Sequence, residues 1–155
     1  MNPHPVPDDA ALAAEVPAAA EFFWPVRIYW EDTDAGGIVF YANYLKFFER
    51  ARTEWLRARG IHQQDLRDRA GGQFVVSEVR LRYERPARLD DVLQVSARLV
   101  EAGRASFTLE QRALRPDAAG GSTLCCAATV RVGWVDAHSL RPKRLPEEVL
   151  QRISL

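Results

Sequence analysis

A single long apolar helix pattern, running from about Ala42 to Arg59, stands ahead of four strand-length alternations. Its apolar residues are Tyr44, Leu45, Phe47, Phe48, Ala51, Trp55, Leu56 and Ala58. That arc is too wide for a helix lying on a surface and predicts one packed beneath a sheet. Gly60 is placed to end it. QFVVSEVRLRY (73–83) puts Val75, Ser77, Val79, Leu81 and Tyr83 on one face, with Ser77 read as a satisfied hydroxyl among apolar neighbours, and Val76, Glu78, Arg80 and Arg82 on the other. DVLQVSARLV (91–100) aligns Leu93, Val95, Ala97 and Leu99. RASFTLEQRAL (104–114) aligns Ala105, Phe107 and Leu109, and STLCCAATVRVGWV (122–135) aligns Leu124, Cys126, Ala128, Val130, Val132 and Trp134. Before the helix, FWPVRIYW (23–30) reads as a strand and EDTDAGG (31–37) as a turn. A short polar helix is expected over Gln63–Arg69, and another in LPEEVLQRI (145–153), where Pro146 and two Glu suit a helix start.

This order predicts an α+β domain, an antiparallel five-stranded meander wrapped around one central helix. A strand face left uncovered favours association with a second copy. Residues 1–22 are acidic and rich in Pro and Ala, with no positive n-region; they read as an extension rather than a secretory signal, and 23–155 as one domain. With 21 basic and 21 acidic residues the formal charge is zero, which argues against a nucleic-acid binder. No apolar run approaches the roughly 18 residues needed to span a bilayer. Cys125 and Cys126 are adjacent, so in a strand they point to opposite faces and read as small fillers in a reducing compartment, here the cytoplasm.

The chemistry is concentrated in WEDTDAGGIVFYANYLKFFERARTEWLR, residues 30–57. An acid in a Gly-containing turn most often caps local amides, and that reading applies to Asp32 and Asp34 alike. A calcium loop starting at Asp32 fails, because its fifth position is Gly36 and its twelfth is Asn43 rather than Glu. No metal and no cofactor are implied. The third reading is catalytic. The turn delivers carboxylates to the start of the buried helix, where unpaired N–H groups can polarise an acyl carbonyl. A carboxylate beside that carbonyl can attack it or activate a water. Gly36 and Gly37 let the backbone approach a ligand.

This stretch resembles the signature of the 4-hydroxybenzoyl-CoA thioesterase family, and within it the bacterial branch associated with the Tol-Pal system. PARLDD (86–91) and RPKRLP (141–146) fit the same branch, and the likeness runs over roughly residues 24–153. The resemblance implies a hotdog fold, a curved antiparallel sheet around the central helix, in homodimers or homotetramers with active sites at the subunit interface. It implies hydrolysis of an acyl-CoA or related acyl thioester. The family's catalytic Asp falls on Asp34, as general base or nucleophile, and the amide that polarises the carbonyl falls on Tyr41. Many members of the branch carry His at the place of Tyr41; the 4-hydroxybenzoyl-CoA enzymes carry Tyr.

Further candidates for substrate binding are Gly37, Asn43 and Tyr44, the latter two lining an acyl pocket or simply starting the helix. Arg85, Arg88 and Lys143 can meet the phosphates of coenzyme A or be solvated loop charges. Glu49 can orient the site or pair with Arg52. The acyl carrier is coenzyme A or an acyl carrier protein. Two competitors remain. A dehydratase of the same fold needs a catalytic His, and none occurs between residues 5 and 61. A non-catalytic acyl-thioester-binding or partner-docking protein would bind without turnover.

Overall fold

The computed structural model describes residues 21–155; the expected extension over 1–22 lies almost wholly outside them. The strands are β1 (Phe22–Arg27), β2 (Gly72–Tyr83), β3 (Val92–Ala102), β4 (Ser106–Pro116) and β5 (Ser122–Asp136). The helices are α1 (Asn43–Ala58), α2 (Gln63–Ala70) and α3 (Glu147–Ile153). All strand pairs are antiparallel, in the order β1-β3-β4-β5-β2. The meander is therefore three strands long. The segment between β2 and β3 is too long for a hairpin, and it carries the chain from one edge of the sheet toward the other.

Helix α1 buries Tyr44, Phe47, Phe48, Ala51 and Trp55, an i, i+3, i+4, i+7, i+11 stripe, against the sheet. Trp55 packs on Phe107, and Phe74 packs on both Phe107 and Trp134, so an aromatic layer joins the helix to β2, β4 and β5. The helix closes as expected at Gly60, whose amide and that of Ile61 donate to the carbonyls of Arg57 and Leu56.

Four local features depart from simple alternation. The first strand ends at Arg27 rather than at residue 30, because Trp30–Asp32 turns into a single 3-10 turn. Pro25 is tolerated in β1 because that strand is an edge. In β2 the register shifts between Val76 and Glu78, leaving Ser77 as the extra residue of a bulge. Ser77 is therefore exposed, its hydroxyl 3.4 Å from the Arg131 carbonyl, and not a core hydroxyl. The bulge also changes parity along the strand: Phe74 faces the core before it, Val79 and Leu81 after it. Opposite β4, the register of β5 shifts so that Cys125 is extra, and both cysteines are buried instead of alternating. The inward face of β4 carries Gln111, fully buried, donating to the carbonyls of Phe48 and Ser96 and accepting from Arg52.

Candidate active site

The turn between β1 and α1 is a small hairpin. Thr33 bridges Val39, the Asp34 amide donates to the Ile38 carbonyl, and the Gly37 amide donates to the Asp34 carbonyl. Gly37 sits at φ +76°, a left-handed conformation that strains any residue with a Cβ, while the space around it is open. Its glycine is thus required by the turn itself. A Cβ at Gly36 would lie 3.1 Å from Asp34 Oδ1, so that glycine keeps the carboxylate uncrowded.

The two acids of this turn differ in kind. Asp32 is only 6% exposed, and its Oδ2 accepts the Tyr29 amide at 2.8 Å. Its carbonyl accepts the Phe40 amide and the Asn43 side-chain Nδ2, both at 2.9 Å. Asp32 is the knot of the loop. Asp34 is exposed, with one oxygen accepting the Gly36 amide at 2.8 Å and the other making no hydrogen bond to a described residue. This asymmetry is invisible in the letters D-T-D.

The hairpin hands over to α1 through Phe40, Tyr41 and Ala42. The Asn43 amide is taken by the Phe40 carbonyl, and the helix start has no side-chain cap and no acid in its first turn. The Tyr41 amide has no acceptor among the described residues. An open carboxylate and an uncapped helix start therefore follow one another along a single loop, the two kinds of group that acyl transfer uses: a base or nucleophile and an N–H donor.

Other expected site residues fall in different places. Asn43 and Tyr44 are buried; Asn43 ties the helix to Asp32, and the Tyr44 ring packs edge-on against Phe47 and Tyr83. Burial pushes the Tyr44 phenol up to about 12. Arg88 is exposed and its backbone bridges Ile38, so its loop lies directly against the hairpin. The Val39 amide adds a bond to the Ala87 carbonyl. Arg85 is exposed on the same loop, just after β2. Lys143 is not brought to this region within one chain. Its Nζ caps α2 at the Ala70 carbonyl, 2.7 Å away, beside the start of β2. The length of β2, 12 residues at about 3.3 Å each, separates that end from Tyr83 by roughly 36 Å. Glu49 accepts the Thr53 hydroxyl, and Arg52 turns inward to Gln111, so the i, i+3 pair between them is not made. Among the described residues no cluster of three or more His, Cys, Asp or Glu is placed to hold a metal ion. Tyr83, assigned by the sequence only to a strand face, donates its hydroxyl to the Tyr41 carbonyl, and Gly36, expected to let the backbone approach a ligand, also leaves room for the Asp34 carboxylate.

A sequence profile of the thioesterase-like superfamily matches residues 28–153. The acyl-CoA thioesterase YbgC of Haemophilus influenzae is 43% identical over 128 residues, 83% of this chain and 90% of that protein. The acyl-CoA thioester hydrolase YbgC of Escherichia coli O157:H7 is 40% identical over 129 residues, 83% of this chain and 92% of that protein. A solved structure of a 4-hydroxybenzoyl-CoA thioesterase mutant complexed with 4-hydroxybenzoyl-CoA superposes with a TM-score of 0.82 at 22% identity, covering 87% of this chain and 99% of that one. At that identity the likeness is one of fold.

Proposed function

The chain belongs to the thioesterase-like superfamily, in the 4-hydroxybenzoyl-CoA thioesterase family read from residues 30–57, and from that premise we propose that it hydrolyses an acyl-CoA to free acid and thiol at Asp34. It is an acyl-CoA thioester hydrolase, like the curated relatives it matches over most of their length. One observation carries the choice of residue: Asp32 is buried and committed to the loop, whereas Asp34 presents a free carboxylate oxygen on the loop that leads into an uncapped helix start.

As a general base, Asp34 takes a proton from water while the oxygen attacks the thioester carbonyl carbon. The oxyanion so formed faces the Tyr41 amide; the C–S bond breaks and the thiolate leaves. As a nucleophile, Asp34 itself attacks, the thiolate leaves, and water hydrolyses the resulting anhydride. Both routes use the same donor. We place Gly37 in the turn that faces the ligand, Tyr44 in the wall of the acyl pocket and Asn43 behind it. Arg85 and Arg88 lie on the phosphate side of the bound coenzyme A, or of the pantetheine arm of an acyl carrier protein.

Edge strand β2 supports a homodimer as the working unit, with a homotetramer built from it. It ends the sheet, and Val76 at its middle is 46% exposed. Two β2 strands paired antiparallel about the Ser77 bulge would set the Lys143 end of one copy beside the Tyr83 end of the other, completing the phosphate side. The buried, free cysteines suit a cytoplasmic setting. Likeness to the Tol-Pal branch supports a link to that envelope system.

The test is free-thiol release from short aliphatic, long aliphatic and aromatic acyl-CoAs, with Asp34→Asn run beside the wild type. Turnover that vanishes in the variant is the expected result, and the best substrate defines the acyl class. Turnover that survives it would sink the assignment of Asp34. Binding of every acyl-CoA without hydrolysis would replace the enzyme by an acyl-thioester-binding protein.

A further inference from the structure

We infer that the Tyr83 hydroxyl is a positioning group for the carbonyl-polarising amide of Tyr41. Tyr83 Oη donates to the Tyr41 carbonyl at 2.9 Å, 42 residues away in sequence. This inference rests on the reading of Tyr41 given above.

The amide and the carbonyl of Tyr41 belong to two successive peptide planes hinged at its Cα. The first plane is held on its carbonyl side, because the Phe40 oxygen accepts the Asn43 amide at 2.9 Å. A peptide's N–H points opposite to its C=O, so that bond aims the Tyr41 N–H away from the helix, back along the hairpin that carries Asp34. Nothing in the hairpin holds the second plane. The Tyr41 carbonyl lies outside α1, and its partner among the described residues is Tyr83. With both planes anchored, rotation about the Tyr41 Cα is blocked, and the donor is aimed before a substrate arrives.

Tyr83 suits this work because its own position is set elsewhere. It is the last residue of β2, paired to the buried Cys126 of β5. Its ring lies 5.8 Å from the buried Tyr44 ring and 6.3 Å from Tyr41, both edge-on. Immediately after it, the amides of Glu84 and Arg85 donate to the carbonyl of Cys125, the bulged residue of β5. The hydroxyl thus transfers the rigidity of the sheet to a turn that carries no cap of its own. Removal of the hydroxyl alone leaves the ring contacts to Tyr44 and Tyr41 in place, so its loss is readable as an effect on the reaction.

Tyr83→Phe removes the hydroxyl and keeps the ring. Removing an oxyanion donor outright costs about 10² to 10³ in kcat; loosening one should cost a part of that, about tenfold, with KM changed less than about twofold. The second readout is the infrared carbonyl stretch of the best panel substrate, ¹³C-labelled at the thioester carbon and bound to Asp34→Asn. Polarisation by the Tyr41 amide lowers that frequency, and the added Tyr83→Phe should restore it partway toward the free value with an unchanged melting temperature. An unchanged kcat overturns the inference. So does a fall in kcat that comes with a lower melting temperature and an unmoved carbonyl stretch, which would mark Tyr83 as a structural residue. Loss of activity in Asp34→Asn with full activity in Tyr83→Phe would refute this inference alone and leave the thioesterase reading standing.

Discussion

Asparagine placed at Asp32 and at Asp34 in separate variants should produce opposite phenotypes. At Asp32 the substitution turns a buried charge-assisted acceptor into an amide. If its oxygen keeps the Tyr29 amide, the charge assistance is lost, about 1 kcal/mol, and a buried NH₂ is left without an acceptor, about 1–3 kcal/mol more. The total, about 2–4 kcal/mol, should lower the melting temperature by roughly 4–16 °C at about 2–4 °C per kcal/mol for a domain of this size. The Asp32 carbonyl, which holds Phe40 and Asn43, is untouched, so the folded variant should keep most of its kcat. At Asp34 the side chain is exposed, and asparagine can make the same bond to the Gly36 amide. Stability should change by less than about 0.5 kcal/mol, while kcat falls by about 10² to 10⁴. Differential scanning fluorimetry and thiol-release kinetics on both variants at one temperature are sufficient. Two variants with equal losses of activity and equal losses of stability would refute the division of labour, since both acids would then be turn residues.

Gly37→Ala should destabilise by about 1 kcal/mol because φ is +76°, and should lower kcat/KM by loosening the Asp34 turn; denaturant titration with kinetics checks both. Gln111→Leu leaves the half-buried Arg52 guanidinium and the Ser96 carbonyl without their partner and should cost about 2–4 kcal/mol in chemical denaturation, more than the gain in apolar packing returns. Burial raises the Cys126 thiol and the Tyr44 phenol to about 12 from ordinary values of 9.0 and 10.0. The unfolded chain releases these protons first, so their stabilisation is complete below about pH 9 and falls as pH rises toward about 12. Melting temperatures between pH 7 and 11 should show this decline, and Cys126→Ala should flatten it.

The sheet and its helix were legible because their signals are periodic and long. The stripe Tyr44–Phe47–Phe48–Ala51–Trp55 suits a buried helix, and of the alternations in β3 and β5 the structure buries all but Leu99 and Leu124, which are half-buried. What periodicity cannot see is a single inserted residue. A strict alternation places Ser77 on the inner face; the bulge spends one residue without pairing and exchanges the faces on either side. Cys125 escaped for the same reason. The candidate site was legible as a segment but not as a geometry. Asp32 and Asp34 are chemically identical in the sequence, and only the Tyr29 and Gly36 amides tell them apart. Lys143 shares its charge with Arg85 and Arg88, yet β2 lies between them. In the sequence Tyr83 is one more strand residue; in the fold its hydroxyl crosses to the Tyr41 carbonyl.

The hairpin before α1 is stitched to the loop after β2 by the Val39–Ala87 bond, the Ile38–Arg88 bridge and the Tyr83–Tyr41 bond. These anchors come from stretches some 40 to 50 residues apart, and the strand that pairs with β2 among the described residues is β5, still further along the chain. No early fragment emerging from the ribosome owns a finished site, since the ties that shape it arrive after the helix has been made. A nascent chain should therefore lack the geometry of the proposed site until its fifth strand has docked, so that the site arrives with completion of the sheet rather than growing with length.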